Sequence, residues 1–486
     1  MSLGVSLSAA LSGLTANARA ASTVSANIAN ANTPGYGVRS LELASSTIGS
    51  AGAGVRVVST LRAENLALLQ DRRFAEADAG AATELATFAR QMEKAIGLPG
   101  EPGSIATMVT GFEQALVEAS ASPESTVRLG AVVGTAHSLV DKINTVSDEI
   151  SVARQAADQE IGRTVTAINV ALEQIVELNA KIMRGGSASR DVSSLIDARQ
   201  KLVDDVAGEI PLRQIDRGRG EIALMGLGGV MLIDGSAAEL SFAPRASVNP
   251  AMSVQNGALS TLEINGNALD IHGTFRPLRG GRLEALFTVR DIDAPKAQAR
   301  VDAYARDQIE RFQDPGVDPT LAVGAAGLFT DAGAAFDPLN EVGVSQRIAL
   351  NIAVDPGQGG DLWRLRDGID ALAPGPLGDS QQIERFVTAM SGTRLAGSGD
   401  FVSVARSAAG LSADLLSIFS AERNAAENRE AFAATQAAAL RTEELERGVD
   451  TDAEMQKLLI VEQAYAANAK VIETVSEMLE LLQRIT

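Results

Sequence analysis

The strongest constraint on this chain is a pair of heptad stripes, one at each end. Alternating steps of four and three through residues 3–30 pick out Leu3, Leu7, Ala10, Leu14, Asn17, Ala21, Val24 and Ile28. The same count through 452–484 gives Leu458, Val461, Tyr465, Asn468, Ile472, Val475, Leu479 and Leu482. That spacing keeps one face of a helix against a partner helix. Each stripe carries a single Asn, and a lone polar residue in such a seam costs stability while fixing register. One stripe is common to any amphipathic helix. Two matched stripes at opposite ends indicate that the termini pair, with each other or with other copies. Thr451 and Glu454 read as a capping box opening the second helix. The chain is 45% hydrophobic but only 3% aromatic, so its apolar content is small and aliphatic, suited to thin helix–helix seams.

Between the seams the texture changes several times. Asn27-Ile28-Ala29-Asn30-Ala31-Asn32-Thr33-Pro34-Gly35-Tyr36 ends the first helix. Pro34 pre-sets φ at the second position of a turn and Gly35 supplies positive φ at the third. The Asn residues suit left-handed φ or bonds to freed carbonyls. Residues 40–60, with Gly49, Gly52 and Gly54, read as an extended, weakly structured arm. Helices are expected at about 61–97, 104–120, 122–183 and 191–207. Ser122-Pro123 would start the third of these, and Gly185-Gly186 would close it. Its stripe runs Ile161, Val165, Ile168, Leu172, Ile175, Asn179, Ile182. From Ile210 to Gly273, short apolar runs alternate with turn signals, among them Gly226-Leu227-Gly228-Gly229 and the hairpin pair Asn265-Gly266. Helix returns at 281–313, with a break near Asp293 and Pro295. One strand is expected at 347–354, then helices at 379–391 and 401–447.

The expected class is α+β, mainly α. The layout is nested and elongated: terminal coiled-coil helices, a long helical bundle and a small inserted antiparallel β-domain. Its segments are an N-terminal helix and arm (1–60), a helical rod (61–209), the β-domain (210–275), the rod continued (276–335), a second β and loop segment of the insert (336–377), the rod again (378–450) and the C-terminal helix (451–486).

Chemistry is sparse. A net charge of −19 argues against nucleic acid and against an anionic membrane surface. There are no cysteines and two histidines, His137 and His272, so thiolate metal sites, disulfides and a His-rich zinc site are excluded. No catalytic loop or nucleophile motif occurs, and no metal or cofactor is expected. Adjacent carboxylates such as Asp148-Glu149, Asp204-Asp205 and Glu443-Glu444 fall on helices and read as solvated faces. Met1 to Ala20 lacks a charged start and a continuous apolar run, so no Sec signal peptide is read. A hydrolase using Asp355, Asp361 or Asp367 is the competing enzymatic reading.

Two stretches carry a resemblance. Ala26 to Arg39, ANIANANTPGYGVR, resembles the N-terminal signature of the bacterial flagellar axial proteins, the rod, hook and hook-associated proteins. Glu462 to Leu479, EQAYAANAKVIETVSEML, resembles their C-terminal signature. In the middle, INVALEQIVELNAKI followed by SSLIDARQKLVDDV is similar to the hook-associated branch. The resemblance implies a structural adaptor rather than an enzyme. It implies export without a cleaved signal peptide and assembly outside the cell as the layer between hook and filament. Implied partners are copies of itself in a ring, the hook protein, a neighbouring hook-associated protein and an export chaperone. A hook or distal rod protein is the near alternative. Seams and signatures together mark the assembly residues as Leu3, Leu7, Leu14, Asn17, Val24, Asn27, Ile28, Asn30, Thr33, Pro34, Gly35, Tyr36, Leu458, Val461, Tyr465, Asn468, Ile472, Val475, Met478, Leu479 and Leu482.

Overall fold

The computed structural model describes residues 3–33, 35–48, 51–63, 65–187, 191–401 and 403–485. Helix α1 (Leu3–Ala29) leads into two strands, β1 (Val38–Ile48) and β2 (Ala51–Ala63). Four helices follow: α2 (Leu66–Ile96), α3 (Ile105–Ser120), α4 (Thr126–Ser187) and α5 (Ser193–Glu209). Next come strands β3 (Leu212–Gly218), β4 (Glu221–Gly226), β5 (Met231–Asp234), β6 (Ser236–Ala237), β7 (Leu240–Ser241), β8 (Glu263–Ile264) and β9 (Asn267–Ala268). Helices α6 (Gly281–Thr288) and α7 (Ala294–Gln313) flank a π-turn. The remainder is β10 (Phe329–Asp331), α8 (Val344–Arg347), β11 (Ile348–Leu350), α9 (Arg364–Asp367), α10 (Gln381–Ser391), α11 (Ala408–Glu446) and α12 (Thr451–Ile485). The class is mainly α, with small antiparallel sheets.

Helix α4 is the spine. At 1.5 Å per residue its 62 residues run about 93 Å. Ile161, Val165, Ile168, Leu172, Ile175, Asn179 and Ile182 are all buried along it, so the 3.6-residue period was a true core stripe. The few aromatics are concentrated: Phe112, Phe312, Phe329 and Phe386 pack edge-to-face with centroids 5.4–6.1 Å apart. Among the described residues no helix is long and apolar enough to cross a membrane.

Strands β3-β4-β5-β6 form one antiparallel sheet and β7-β8-β9 another. Gly226–Gly229 turns the first, closed by Gly229 N–H on Gly226 O. Asn265 and Gly266, both at positive φ, turn the second. A buried ion pair joins the π-turn to the spine, Arg290 to Asp158 at 2.8 Å, both side chains fully buried. The insert is tied to it through Arg245 N–H donating to Asp158 and Arg290 donating to Ser260 O. Phe242 and Phe287 flank the guanidinium. Removing Arg290 strands the Asp158 carboxylate in the interior and costs about 3 kcal/mol or more, whereas Arg290 keeps a second carboxylate in Asp291.

The structure departs from the sequence expectations in five places. Residues 40–60 are no loose arm but the β1–β2 ribbon, antiparallel with bulges after Glu42 and Ser46. Helix α4 starts at Thr126, because Ser122–Ser125 forms a turn and Ser125 Oγ accepts from Arg128 N–H. The break near Pro295 is a π-turn at Val289–Asp293, with Pro295 in the first turn of α7. Pro295 lacks the amide an α-turn would use, and the widened turn absorbs that loss. The expected strand at 347–354 shortens to β11 and pairs with β10. Residues 336–377 also do not extend the insert's sheets. They dock on α4 and α7, where buried Asp302 accepts from Gly343 N–H, Ser345 N–H and Ser345 Oγ, and Asn144 donates to Ser345 O.

Candidate functional site: a polar clasp at the foot of a terminal helix pair

Helices α1 and α12 pack against each other. Asn27 meets Glu454 and Gly13 meets Asn468, equal steps in opposite directions, so the pair is antiparallel. Ala10 and Val24 are buried, while Leu3, Leu7, Leu14, Asn17, Ala21 and Ile28 are half-buried. On α12, Glu454 and Val475 are buried, and Leu458, Val461, Asn468 and Ile472 are half-buried. Tyr465, Met478, Leu479 and Leu482 are exposed. The two seam asparagines do not face each other. A Cβ on Gly13 would lie 2.7 Å from Asn468 Nδ2, so it is the missing side chain of Gly13 that makes room for Asn468.

Helix α1 has a second face that the heptad count missed. Ala9, Ser12 and buried Ala16 follow i, i+3, i+7 spacing. Ser12 Oγ accepts from Val55 N–H at 3.1 Å, and a Cβ on Gly54 would collide with Ser12 Oγ and Ala9. Gly54, at φ +109°, thus brings the ribbon onto α1 at backbone distance. The signal is present in the sequence as three small residues at helical spacing.

At the foot of the pair lies a polar clasp. Asn27 is fully buried. Its Nδ2 donates to Arg39 O at 2.8 Å and to Glu454 Oε2 at 3.0 Å. Its Oδ1 accepts from Tyr36 OH at 2.8 Å and Arg39 N–H at 3.0 Å. One side chain thereby joins the end of α1, the turn, β1 and the start of α12. Burial pushes the Tyr36 phenol above its ordinary value, with Arg39 pulling the other way. The phenol is a neutral donor at physiological pH. Its ring also carries the Arg39 guanidinium 5.0 Å from its centroid.

Around the clasp, Tyr36 N–H closes a turn on Thr33 O and Gly35 has φ +78°. Pro34 lies outside the described residues. Asn30 Nδ2 adds a second bond at 2.8 Å to the Ala26 carbonyl, which already accepts Asn30 N–H, and Thr33 Oγ1 donates to Asn30 Oδ1. No described Asn at this helix end adopts positive φ. The expected Thr451–Glu454 capping box is replaced. Asp450 caps α12 through Asp452 and Ala453 N–H, which frees Glu454 to reach Asn27.

The clasp is tied to the helical body through α5. Asp197 accepts from Arg39 at 2.5 Å, Arg62 at 2.8 Å and, weakly, Gly37 N–H. Arg199 donates to Asn179 and Gly220 O, and Asp204 holds Arg72 and Arg73. Sequence reasoning had noted the LIDARQ segment only as a resemblance. A further α11 residue, Glu444, pairs with Arg72 at 2.5 Å. Two of the three carboxylates of the enzymatic alternative are engaged in structural contacts: Asp355 holds His137 and Gly357 N–H, and Asp367 holds Arg366 and Gly375 N–H. Among the described residues no three His, Asp or Glu side chains gather as a metal site requires.

Comparison with known proteins places these elements. Residues 89–322 match the flagellar hook-associated protein FlgK helical domain. Residues 7–36 match the flagella basal body rod protein family, and 446–485 the C-terminal family of the FlgEFG basal body rod proteins. The Flagellar hook-associated protein 1 of Salmonella typhimurium is 27% identical over 318 residues, covering 63% of this chain. That of Bacillus subtilis is 24% identical over 233 residues, 46% of each chain. The match covers 57% of the Salmonella relative's own length. Among solved structures, the flagellar hook junction protein FlgK from Burkholderia pseudomallei is 20% identical with a TM-score of 0.44, covering 54% of this chain and 47% of that one.

Proposed function

We propose that the chain is a member of the flagellar hook-associated protein 1 family, and that it is a structural adaptor joining hook to filament. It does so by self-assembly of its paired terminal helices. The helical-domain match across 89–322 favours this reading over a hook or rod protein, and nothing in the described side chains calls for an enzyme.

One observation carries the assembly step. Helix α12 presents a second apolar stripe that α1 leaves uncovered: Ile460, Ala467, Val471 and Met478. At 100° per residue these fall within a narrow sector turned roughly 90° from the seam. All four are exposed. Leu479 sits on the seam itself but past the level of Leu3. A helix with two apolar stripes is built to touch two helices, and the second belongs to a neighbouring copy or adjoining axial subunit. In this reading the assembly residues are the seam and clasp side chains together with this stripe. The partners are copies of the chain, the hook protein and the next hook-associated protein. Export by the flagellar apparatus, with a chaperone on the C-terminal helix, completes it.

The test is the double substitution Val471→Glu, Met478→Glu in the full chain. Both positions face solvent in the monomer, so circular dichroism should be unchanged. Self-association in sedimentation and incorporation at hook tips should be lost. Normal incorporation would sink the reading.

A further inference from the structure

The β-insert carries both a recess and a protruding ring. The recess, about 690 Å³, lies between the 249–256 loop, the end of β9 and the π-turn. Its wall is apolar, with Met252, Val254, Ile271, Phe287 and Ile292. Two guanidiniums back it, and every nitrogen of both already holds a protein partner. Arg154 donates to the carbonyls of Arg290, Asn249 and Met252. Arg290 donates to Asp158, Asp291 and Ser260 O. Small-molecule sites keep a few convergent polar groups free to orient the ligand. This recess offers an apolar wall with Asp270 exposed at the mouth, which suits an apolar knob with a cation beside it.

Such a knob stands on the same chain. Phe275 is 90% exposed. Its loop, 273–281, carries Arg276 and Arg279 and no acid, in a chain of net charge −19. The loop is not free to fold back. The carbonyls of Arg276 and Pro277 abut Gly228 at the β4–β5 turn, and Arg276 is pinned to Glu284. These anchors hold the ring out, away from the recess beside it.

We propose that Phe275, with Arg279 toward Asp270, seats in this recess of a second copy of the chain. The inference rests on the assembly reading above and adds a contact between the inserts. Burying one Phe side chain is too little to hold two copies alone, but enough to fix how adjoining copies orient once the terminal helices associate.

The absence of cysteine makes the test clean. Two chains are made, Thr274→Cys, which keeps Phe275, and Val254→Cys, both at exposed positions, with Val127→Cys as an exposed control far along α4. They are mixed under conditions where the wild-type chain associates, then oxidised with oxidised glutathione. The Thr274→Cys/Val254→Cys heterodimer should exceed either pairing with the control by about tenfold, the mark of a raised local concentration. Association without that enrichment overturns the contact and leaves the assembly reading intact. No association at all overturns both. A bridge within one chain carrying both cysteines, formed as fast as the heterodimer, would assign the recess to the chain's own loop and also overturn the proposal.

Discussion

At the scale of the residue, Asn27 shows why a carboxamide is needed where the heptad count expects only helix. Four partners converge on it, two needing an acceptor and two needing a donor. No other uncharged side chain of that length offers both. Asn27→Ala would leave the Tyr36 hydroxyl and Glu454 Oε2 without this partner, Lys457 holding only the other carboxylate oxygen. The expected loss is about 2 kcal/mol from the terminal unit, read as faster amide exchange in α1 and α12 with the body unchanged. Asn27→Asp should be worse, because it sets a second carboxylate against Glu454. If Asp restores protection that Ala removes, the clasp is not the hydrogen-bond centre described.

At the scale of the element, what was legible followed local pattern. The α4 stripe, the two seams, the Asn265-Gly266 hairpin and the Gly226–Gly229 turn all state themselves through period or turn chemistry. The β1–β2 ribbon did not, because its strands are rich in Ser, Thr, Ala and Gly and are held by α1 rather than by a core. Cap choice at α12 was misread because Glu454 has a partner 427 positions away, and no spacing rule sees that far. Arg282 is a similar case. It gathers Glu84, Glu160 and Glu209 from α2, α4 and α5. The Arg282 hydrogen bond holds the Glu160 carboxyl below its ordinary 4.5. The folded chain therefore binds fewer protons there than the unfolded chain as pH falls below about 4.5. The contribution of this pair is full above that pH and fades beneath it. Arg282→Leu should cost about 1 kcal/mol at pH 7, and the difference from wild type in urea melts should shrink on acidification through pH 4. A gap that stays constant down to pH 3 would refute the assignment.

At the scale of the whole molecule, the terminal unit of α1, the ribbon and α12 meets the helical body at a small joint. Among the described residues, the chain crosses it at 447–450, and β2 ends beside it at Ala63. A recess of about 320 Å³, lined by Tyr36, Arg62, Leu68, Gln200, Glu444 and Gly448 among others, separates the two sides. Across it Asp197 binds Arg39 and Arg62, and its side chain is only 18% exposed. A single carboxylate paired with two guanidiniums from one ribbon acts as a latch, since losing it leaves two cations facing an unoccupied acceptor site. Asp197→Ala should then leave both halves folded, with helix content and melting of the body little changed, while loosening their relative orientation. Spin labels on Ser25→Cys in α1 and Val127→Cys in α4 would report it directly, the chain having no native cysteine. The expected result is a narrow distance distribution in wild type and a broad one in Asp197→Ala. Equally narrow distributions would mean that the crossing chain, and not Asp197, sets the angle. A latch of this strength also fits the assembly reading, because the terminal helices can be drawn into a neighbour's stripe while the body and its insert keep their own contacts.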